Sequence, residues 1–147
     1  MNSRSAWTVT IFVSLAVASP AIAADAAKGE MVFKKCMLCH RIGPDAANLI
    51  GPVLTGVVGR KAGTYPGYNY SPLMKAAGEN GLVWTEDNIS SYLPDPSAFL
   101  KKFLTDKGKA DLATGAAKML FRLPSEQERQ DVIAYLKTFS VPAPVTH

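Results

Sequence analysis

The stretch Cys36-Met37-Leu38-Cys39-His40 decides how the rest of the chain is read. It holds both cysteines of the chain, and a disulfide between them would close too small a loop to stabilise a fold much. Cys-x-x-Cys-His is the attachment pattern of c-type haem, in which two thioethers hold the porphyrin and the adjacent histidine binds the iron. The motif therefore predicts one covalently bound haem c on Cys36 and Cys39, with His40 as an axial ligand.

Two other uses of paired cysteines fit the surrounding sequence poorly. A thioredoxin-type dithiol follows a strand of a βαβ unit, whereas Val32, Phe33 and Cys36 have the spacing of one helix face. A structural zinc site needs four ligands, and the one Cys or His outside the motif is His147 at the C-terminus. The haem stays the expected cofactor.

The chain begins with the layout of a secretory signal peptide. Arg4 precedes a mostly apolar run over residues 6–18, and Ala21-Ile22-Ala23 has the small-x-small form of a signal-peptidase site. The run is shorter than the roughly 20 residues that a membrane-spanning helix needs, which argues against a permanent anchor. We therefore predict that residues 1–23 are removed and that 24–147 form one haem-carrying domain in the periplasm, since covalent haem attachment takes place outside the cytoplasm.

Charge and size narrow the class of protein further. The 147 residues carry a formal net charge of +4, and removal of the signal peptide (the leader) would take away one positive charge, Arg4. No helix has a basic stripe and no strand pattern is studded with aromatic residues, so we do not expect nucleic-acid binding. The length fits a single domain with one modest core, and we expect a monomer.

Apolar spacing and capping residues predict an all-α, loop-rich domain with about five helices. The expected helices cover residues 25–39, 72–79, 86–93 and 96–106, and the last begins at a capping box from Ser125 to Glu128. Glycine and proline recur over 41–70, which predicts a long irregular loop whose interior a haem would fill. Gly29 lies inside the first helix, where a close crossing by the last helix near Tyr135 and Leu136 would explain it, although a helix also tolerates a glycine.

The iron needs a second axial ligand, and methionine is the residue type available for it. The second histidine ends the chain, where side chains are seldom held in place. Met1 leaves with the leader, and Met31 and Met37 stand too near the attachment motif to reach the opposite haem face. Met119 lies in an irregular segment that can wrap around that face, whereas Met74 falls in a predicted helix, where methionine is more often core filling. The residues favour Met119 and keep Met74 as the alternative.

Several short motifs together resemble the class I cytochrome c family and, within it, the long variants of the cytochrome c2 group. The resemblance covers nearly all of 24–147. It is carried by Cys36-x-x-Cys39-His40, Gly51-Pro52-x-Leu54-x-Gly56-x-x-Gly59-Arg60, Pro66-Gly67-Tyr68-x-Tyr70-Ser71, Trp84-Thr85, Tyr92-Leu93, Lys118-Met119-x-Phe121 and Ile133-Ala134-Tyr135-Leu136. The chain departs from the family's Pro-Gly-x-Lys-Met, since it has Gly115-Ala116-Ala117-Lys118-Met119, and its stretch from Pro96 to Lys118 is longer than in the shortest members.

The resemblance implies a cytochrome c fold, with helices wrapped around one haem, and roles for several residues. Met119 is the implied sixth ligand, and Tyr92 would lie against the haem near it. The carbonyl of Pro52 would accept a hydrogen bond from His40 and fix the imidazole plane. The haem propionates would be bound by side chains with hydrogen-bond donors: Arg60, Tyr70, Ser71 and Trp84. Without the resemblance, Trp84 and Tyr92 read as ordinary core aromatics.

The function implied is that of a soluble periplasmic carrier of single electrons, without enzymatic activity. By resemblance, a cytochrome bc-type complex would donate the electron, and a photosynthetic reaction centre or a terminal oxidase would accept it. Lys34, Lys35 and Lys118 stand beside haem-binding residues, so we expect them to contribute to transient docking on acidic partners. Two other functions stay open, a permanently bound haem subunit of a larger redox complex and a haem enzyme or gas sensor with a displaceable sixth ligand.

Overall fold

Five α-helices and long irregular connections make up the part of the chain that the structure, a computed structural model, describes, residues 23–140. Residues 1–22 of the predicted leader and the terminal His147 lie outside it. The helices are α1 (Ala26–Phe33), α2 (Pro72–Glu79), α3 (Glu86–Tyr92), α4 (Pro96–Asp106) and α5 (Glu126–Lys137), with a short 3-10 turn at Ala110–Leu112. Within 23–140 the one β-type contact is an isolated bridge between Lys61 and Val83, so the predicted all-α fold is confirmed.

The helices begin where local capping chemistry places their first turns. α2 and α4 have the predicted bounds, with proline in the first turn of each, and α3 ends one residue early, at Tyr92. Only one of the two hydrogen bonds of the predicted capping box is formed. The Ser125 hydroxyl accepts from the Glu128 N–H at 3.4 Å, whereas the Glu128 carboxylate lies 2.6 Å from Lys35 Nζ. Five side chains accept hydrogen bonds from the first turns of their helices: Asp25, Ser71, Thr85, Asp95 and Ser125.

The first helix is shorter than predicted: α1 ends at Phe33 and does not continue to Cys39. Its apolar face, which packs against α5, ends there too. Beyond it the backbone tightens into turns in which residues three apart are bonded, such as Cys36 N–H to the Phe33 carbonyl at 2.8 Å. The Cys39 carbonyl then accepts from the Gly51 N–H at 2.8 Å. The attachment motif is thus a sequence of turns tied to the long loop.

The crossing of α1 and α5 confirms the reason predicted for Gly29. A Cβ atom at residue 29 would lie 2.0 Å from the Asp131 carbonyl oxygen and 2.8 Å from Tyr135 Cβ, so only glycine lets the two backbones approach this closely. The rings of Phe33 and Tyr135 pack at 5.3 Å beside the crossing. The two ends of the described chain are therefore joined in one helix pair.

The long loop closes over a core supplied by α2 and α4. Leu73, Leu100 and Leu104 are fully buried. Gly59 donates to the Trp84 carbonyl and Trp84 donates to the Arg60 carbonyl, both at 2.9 Å, which ties the loop to the segment before α3. None of the helices described is both long enough and apolar enough to cross a bilayer.

Candidate haem-binding site

No disulfide joins the two cysteines, and both are partly exposed. Cys36 packs against the core below α1. Burial raises the pKa of its thiol to about 11, an effect that the nearby Lys35 charge partly offsets and Cys39 reinforces. The thiol is therefore protonated at neutral pH, which makes it a poor partner for disulfide exchange. Two thiols that flank one turn are the groups that thioether formation consumes.

His40 is oriented by the backbone of the long loop. Its Nδ1 lies 2.7 Å from the carbonyl oxygen of Pro52. Burial is the main reason why the pKa of His40 is lowered, the hydrogen bond to Pro52 acts against it, and the charge of Arg60 adds to it. The ring is therefore neutral, with the Nδ1 proton donated to Pro52 and Nε2 left as an electron-pair donor, which is the form of imidazole that binds metals.

Gly51 gives the imidazole the room it needs. A Cβ atom at residue 51 would lie 2.4 Å from Cε1 of His40 and 2.8 Å from its Nε2. Asn48 holds the same turn, since its side chain accepts from the Val53 N–H and donates to the Pro66 carbonyl, each at 3.0 Å. Sequence reasoning missed Asn48, although an asparagine inside a loop rich in glycine and proline is a signal of such a local bond.

Arg60 is a half-buried cation close to His40. It donates to the carbonyls of Val53 at 2.9 Å and Thr55 at 3.2 Å, and it lies over the Tyr65 ring at 4.8 Å. Burial lowers its pKa. Among residues 23–140 no carboxylate forms an ion pair with it. A buried cation without an anion is costly, so this site fits a group that brings carboxylates of its own.

Tyr70 and Ser71 lie next to each other and each already accepts a backbone hydrogen bond. The Tyr70 hydroxyl accepts from the Tyr65 N–H at 3.3 Å, and Ser71 Oγ caps α2 by accepting from the Met74 N–H at 3.2 Å. Sequence reasoning missed this capping role. Each hydroxyl keeps its own proton for a further acceptor.

Trp84 and Tyr92 meet in an aromatic cluster under the loop. Their ring centroids are 4.8 Å apart, and Phe99 packs against Tyr92 at 5.9 Å. Burial raises the pKa of Tyr92, and the neighbouring Tyr68 and Tyr70 raise it further, so its phenol stays protonated well into the alkaline range. Phe99 was not singled out from the sequence, because an apolar residue on a helix face reads as core.

The two candidate methionines lie in different settings. Met74 is buried within α2 and belongs to the core. Met119 lies in an irregular segment and is half-buried against the core from outside. Its setting is therefore the one of the two in which a thioether can serve a bound group without leaving a hole in the core.

The predicted docking lysines differ in what they contact. Lys35 forms its ion pair with Glu128 in α5. Lys118 donates to the Asn69 carbonyl and lies 5.7 Å from the centre of the Tyr68 ring. Lys34 is exposed, forms no ion pair within residues 23–140, and lines the same surface cleft as His40. Lys34 is thus the one of the three whose ammonium group forms neither an ion pair nor a hydrogen bond nor an aromatic contact within residues 23–140.

These residues together fit a haem c. Cys36 and Cys39 are available to form thioethers, His40 is a neutral ligand, and Arg60 with the two hydroxyls can neutralise and bind propionates. The cluster suits no simpler group as well, since a metal ion alone would leave the cation without an anion.

Comparison with known proteins places the chain among the cytochromes c2. No protein-family model matches it. It is 69% identical over 116 residues to cytochrome c2 iso-1 of Rhodospirillum centenum, an alignment that covers 79% of this chain and 97% of that protein. It is 66% identical over 114 residues to a cytochrome c2 of Rhodopseudomonas palustris, with 78% and 97% covered.

A solved structure supports the same placement. The structure of cytochrome c2 from Rhodospirillum centenum superposes with a TM-score of 0.80 at 66% identity, and the match covers 80% of this chain and all of that one. The chain therefore belongs to the cytochrome c2 family of class I c-type cytochromes, electron-transfer proteins rather than enzymes, which carry one covalently attached haem c.

Proposed function

We propose that this cytochrome carries single electrons in the periplasm through an iron bound by His40 and Met119. The proposal includes export, with residues 1–23 removed and 24–147 as the working domain. When bound, the haem supplies a one-electron couple at its iron. The observation that carries the proposal is the neutral His40, whose Nδ1 is engaged 2.7 Å from the Pro52 carbonyl and whose Nε2 is free to bind a metal.

Met119 supplies the second ligand in this proposal. A thioether is a soft donor that favours the ferrous state, so His/Met ligation raises the reduction potential. With His40 and Met119 both engaged as ligands, the iron would keep no position for a substrate. Two firmly bound protein ligands suit an electron carrier, because the coordination of its iron should change little between the oxidised and reduced states.

The propionates are assigned to Arg60, Tyr70, Ser71 and Trp84. Arg60 supplies the positive charge, and the Tyr70 and Ser71 hydroxyls supply protons that their own acceptor bonds leave free. Charge-assisted hydrogen bonds of this kind are stronger than neutral ones. The propionate carboxylates can then be buried at little cost. Tyr92 has a different assignment in this proposal: it lies in the interior beside Met119.

The partners we propose are membrane redox complexes, with a cytochrome bc-type complex as donor and a reaction centre or terminal oxidase as acceptor. Exposed apolar side chains lie next to the proposed haem-binding residues, namely Leu38, 79% exposed, Ile50, 75%, and Leu120, 83%. Lys34 lines the surface cleft that His40 also lines. An apolar centre with a charged rim suits small, transient interfaces.

A visible spectrum with carbon monoxide tests the ligation. We expect low-spin haem c bands, a far-red band from methionine on ferric iron, and no response of the reduced protein to carbon monoxide. Met119→Leu should abolish the far-red band and let carbon monoxide bind. Met74→Leu is the matched control, because it makes the same change at the other candidate methionine and should leave the band in place.

Two results would overturn the proposed ligation. If the unsubstituted reduced protein binds carbon monoxide readily, the sixth position is open, and a sensor or enzyme fits better. If Met74→Leu removes the band and Met119→Leu does not, the ligand is Met74.

A further inference from the structure

Met119 belongs to a segment that is fixed at its two ends and exposed at its middle. Residues 117–123, here the methionine segment, form neither helix nor strand. Ala117 and Leu123 are buried, with 4% and 2% of their surface exposed, whereas Leu120 between them is 83% exposed. The position of Met119 therefore depends on what holds the two ends.

The downstream end is held mainly by backbone. The Leu123 N–H donates to the Leu93 carbonyl at 2.8 Å, just after α3. Arg122 adds an ion pair at 2.9 Å with Asp95, the residue that caps α4. The arginine and aspartate side chains are 64% and 37% exposed, so that pair contributes little. The hydrogen bond and the burial of Leu123 make this end a fixed hinge.

The upstream end is held by a side chain of α4 and, one residue further on, by the exposed Lys118 ammonium, which donates to the Asn69 carbonyl. The Ala117 N–H donates to Ser97 Oγ at 2.9 Å, across 20 residues of sequence. Because Ala117 is buried, its N–H would lose its partner if this hydroxyl were absent. Ser97 itself is kept in place by α4, whose Leu100 and Leu104 are fully buried.

We infer that Ser97 is a positioning residue for Met119: its hydroxyl holds the upstream end of the methionine segment and so sets how readily Met119 leaves the iron. The inference rests on the proposed His40/Met119 ligation. To withdraw the thioether, the segment must swing about its downstream end, and that movement pulls Ala117 away from Ser97. The hydrogen bond is then part of the free energy that a competing ligand has to overcome.

Competition by imidazole for the ferric iron measures that free energy. The far-red band of the holoprotein is followed as imidazole is added, and its loss gives the binding constant. We expect Ser97→Ala to bind imidazole about three- to tenfold more tightly, the range that one hydrogen bond supplies. Ser97→Thr keeps the hydroxyl and should restore the affinity of the unsubstituted protein.

Thr105→Ala is the matched control. The Thr105 hydroxyl also lies on α4, but it bonds to the Lys101 carbonyl of its own helix at 2.9 Å. Its removal should leave imidazole binding unchanged. Equal affinities for Ser97→Ala and the unsubstituted protein would overturn the inference, and so would a shift of the same size in Thr105→Ala. Failure of the ligation proposal is recognised separately, because the unsubstituted protein then lacks the far-red band at the start.

Discussion

The orientation of His40 depends on two neighbouring residues that carry no polar side chain, Gly51 and Pro52. The Pro52 carbonyl lies 2.7 Å from Nδ1. The Gly51 backbone passes the ring so closely that a Cβ atom would lie 2.4 Å from Cε1. The imidazole is thus held between a hydrogen-bond acceptor and a steric wall, both made of backbone, and any change of side chain at Gly51 acts directly on the proposed iron ligand.

Gly51→Ala should displace the imidazole and weaken the holoprotein. We expect a loss of about 1–3 kcal/mol in the free energy of unfolding, as for overpacking elsewhere, together with a disturbed low-spin spectrum. Gly81→Ala is the control. Gly81 has φ +94° and open space around it, so an alanine there strains the backbone but meets no neighbouring atom, and the low-spin spectrum should not change. Denaturant unfolding and visible spectra check both. An unchanged spectrum in Gly51→Ala would show that the ring is not confined there.

At the scale of elements, the α1–α5 crossing joins the first and last helices of the described chain. The backbones approach at Gly29, and around that point lie the Phe33–Tyr135 ring contact and the Lys35–Glu128 ion pair. The ion pair is about half exposed on the lysine side, so it contributes little on its own. The close packing of α1 against α5 is therefore the main feature that stabilises these two helices.

Gly29→Ala should separate the two helices. A new Cβ would lie 2.0 Å from the Asp131 carbonyl, a backbone atom that cannot turn aside, so we expect the free energy of unfolding to fall by about 3 kcal/mol, at the upper end for overpacking. Alanine is otherwise the better helix former, which makes the direction of the effect diagnostic. Lys28→Ala, at an exposed position of α1, should change stability by no more than about 0.5 kcal/mol. A stabilised Gly29→Ala variant in urea unfolding would contradict the packing.

The elements that the sequence predicts well are those defined by local chemistry. Pro72 marks the start of α2 and Asp95-Pro96 that of α4, because a proline in the first turn and a capping side chain act within three residues. The end of α1 was predicted too late: turns replace the helix after Phe33, and there the Cys39 carbonyl accepts from the distant Gly51 N–H, a contact that local sequence does not reveal. The Ser97–Ala117 bond spans 20 residues and leaves no local pattern. Contacts fixed by tertiary packing are thus the ones that periodicity and caps do not reveal.

At the scale of the whole molecule, the charges near the site are distributed unequally between internal contacts and solvent. Lys35 is paired with Glu128, and Lys118 is engaged with the Asn69 carbonyl and the Tyr68 ring. Lys34 is free of ion pairs across residues 23–140 and borders the cleft that His40 lines. The lysines are therefore unequal as docking residues, and Lys34 presents the charge that an acidic partner meets without breaking an internal bond.

Lys34→Gln should slow electron transfer with a cytochrome bc-type complex more than an equal loss of charge elsewhere. At low salt we expect the second-order rate constant to fall about two- to threefold, because local charge steers the encounter. The difference should shrink as salt shortens the Debye length below about 10 Å. Lys137→Gln is the matched control, since it removes the same charge from the last turn of α5, where Lys137 is paired with Glu86 at 2.8 Å. If the two variants slow the reaction equally at every ionic strength, net charge alone governs the encounter, and Lys34 has no special place in docking.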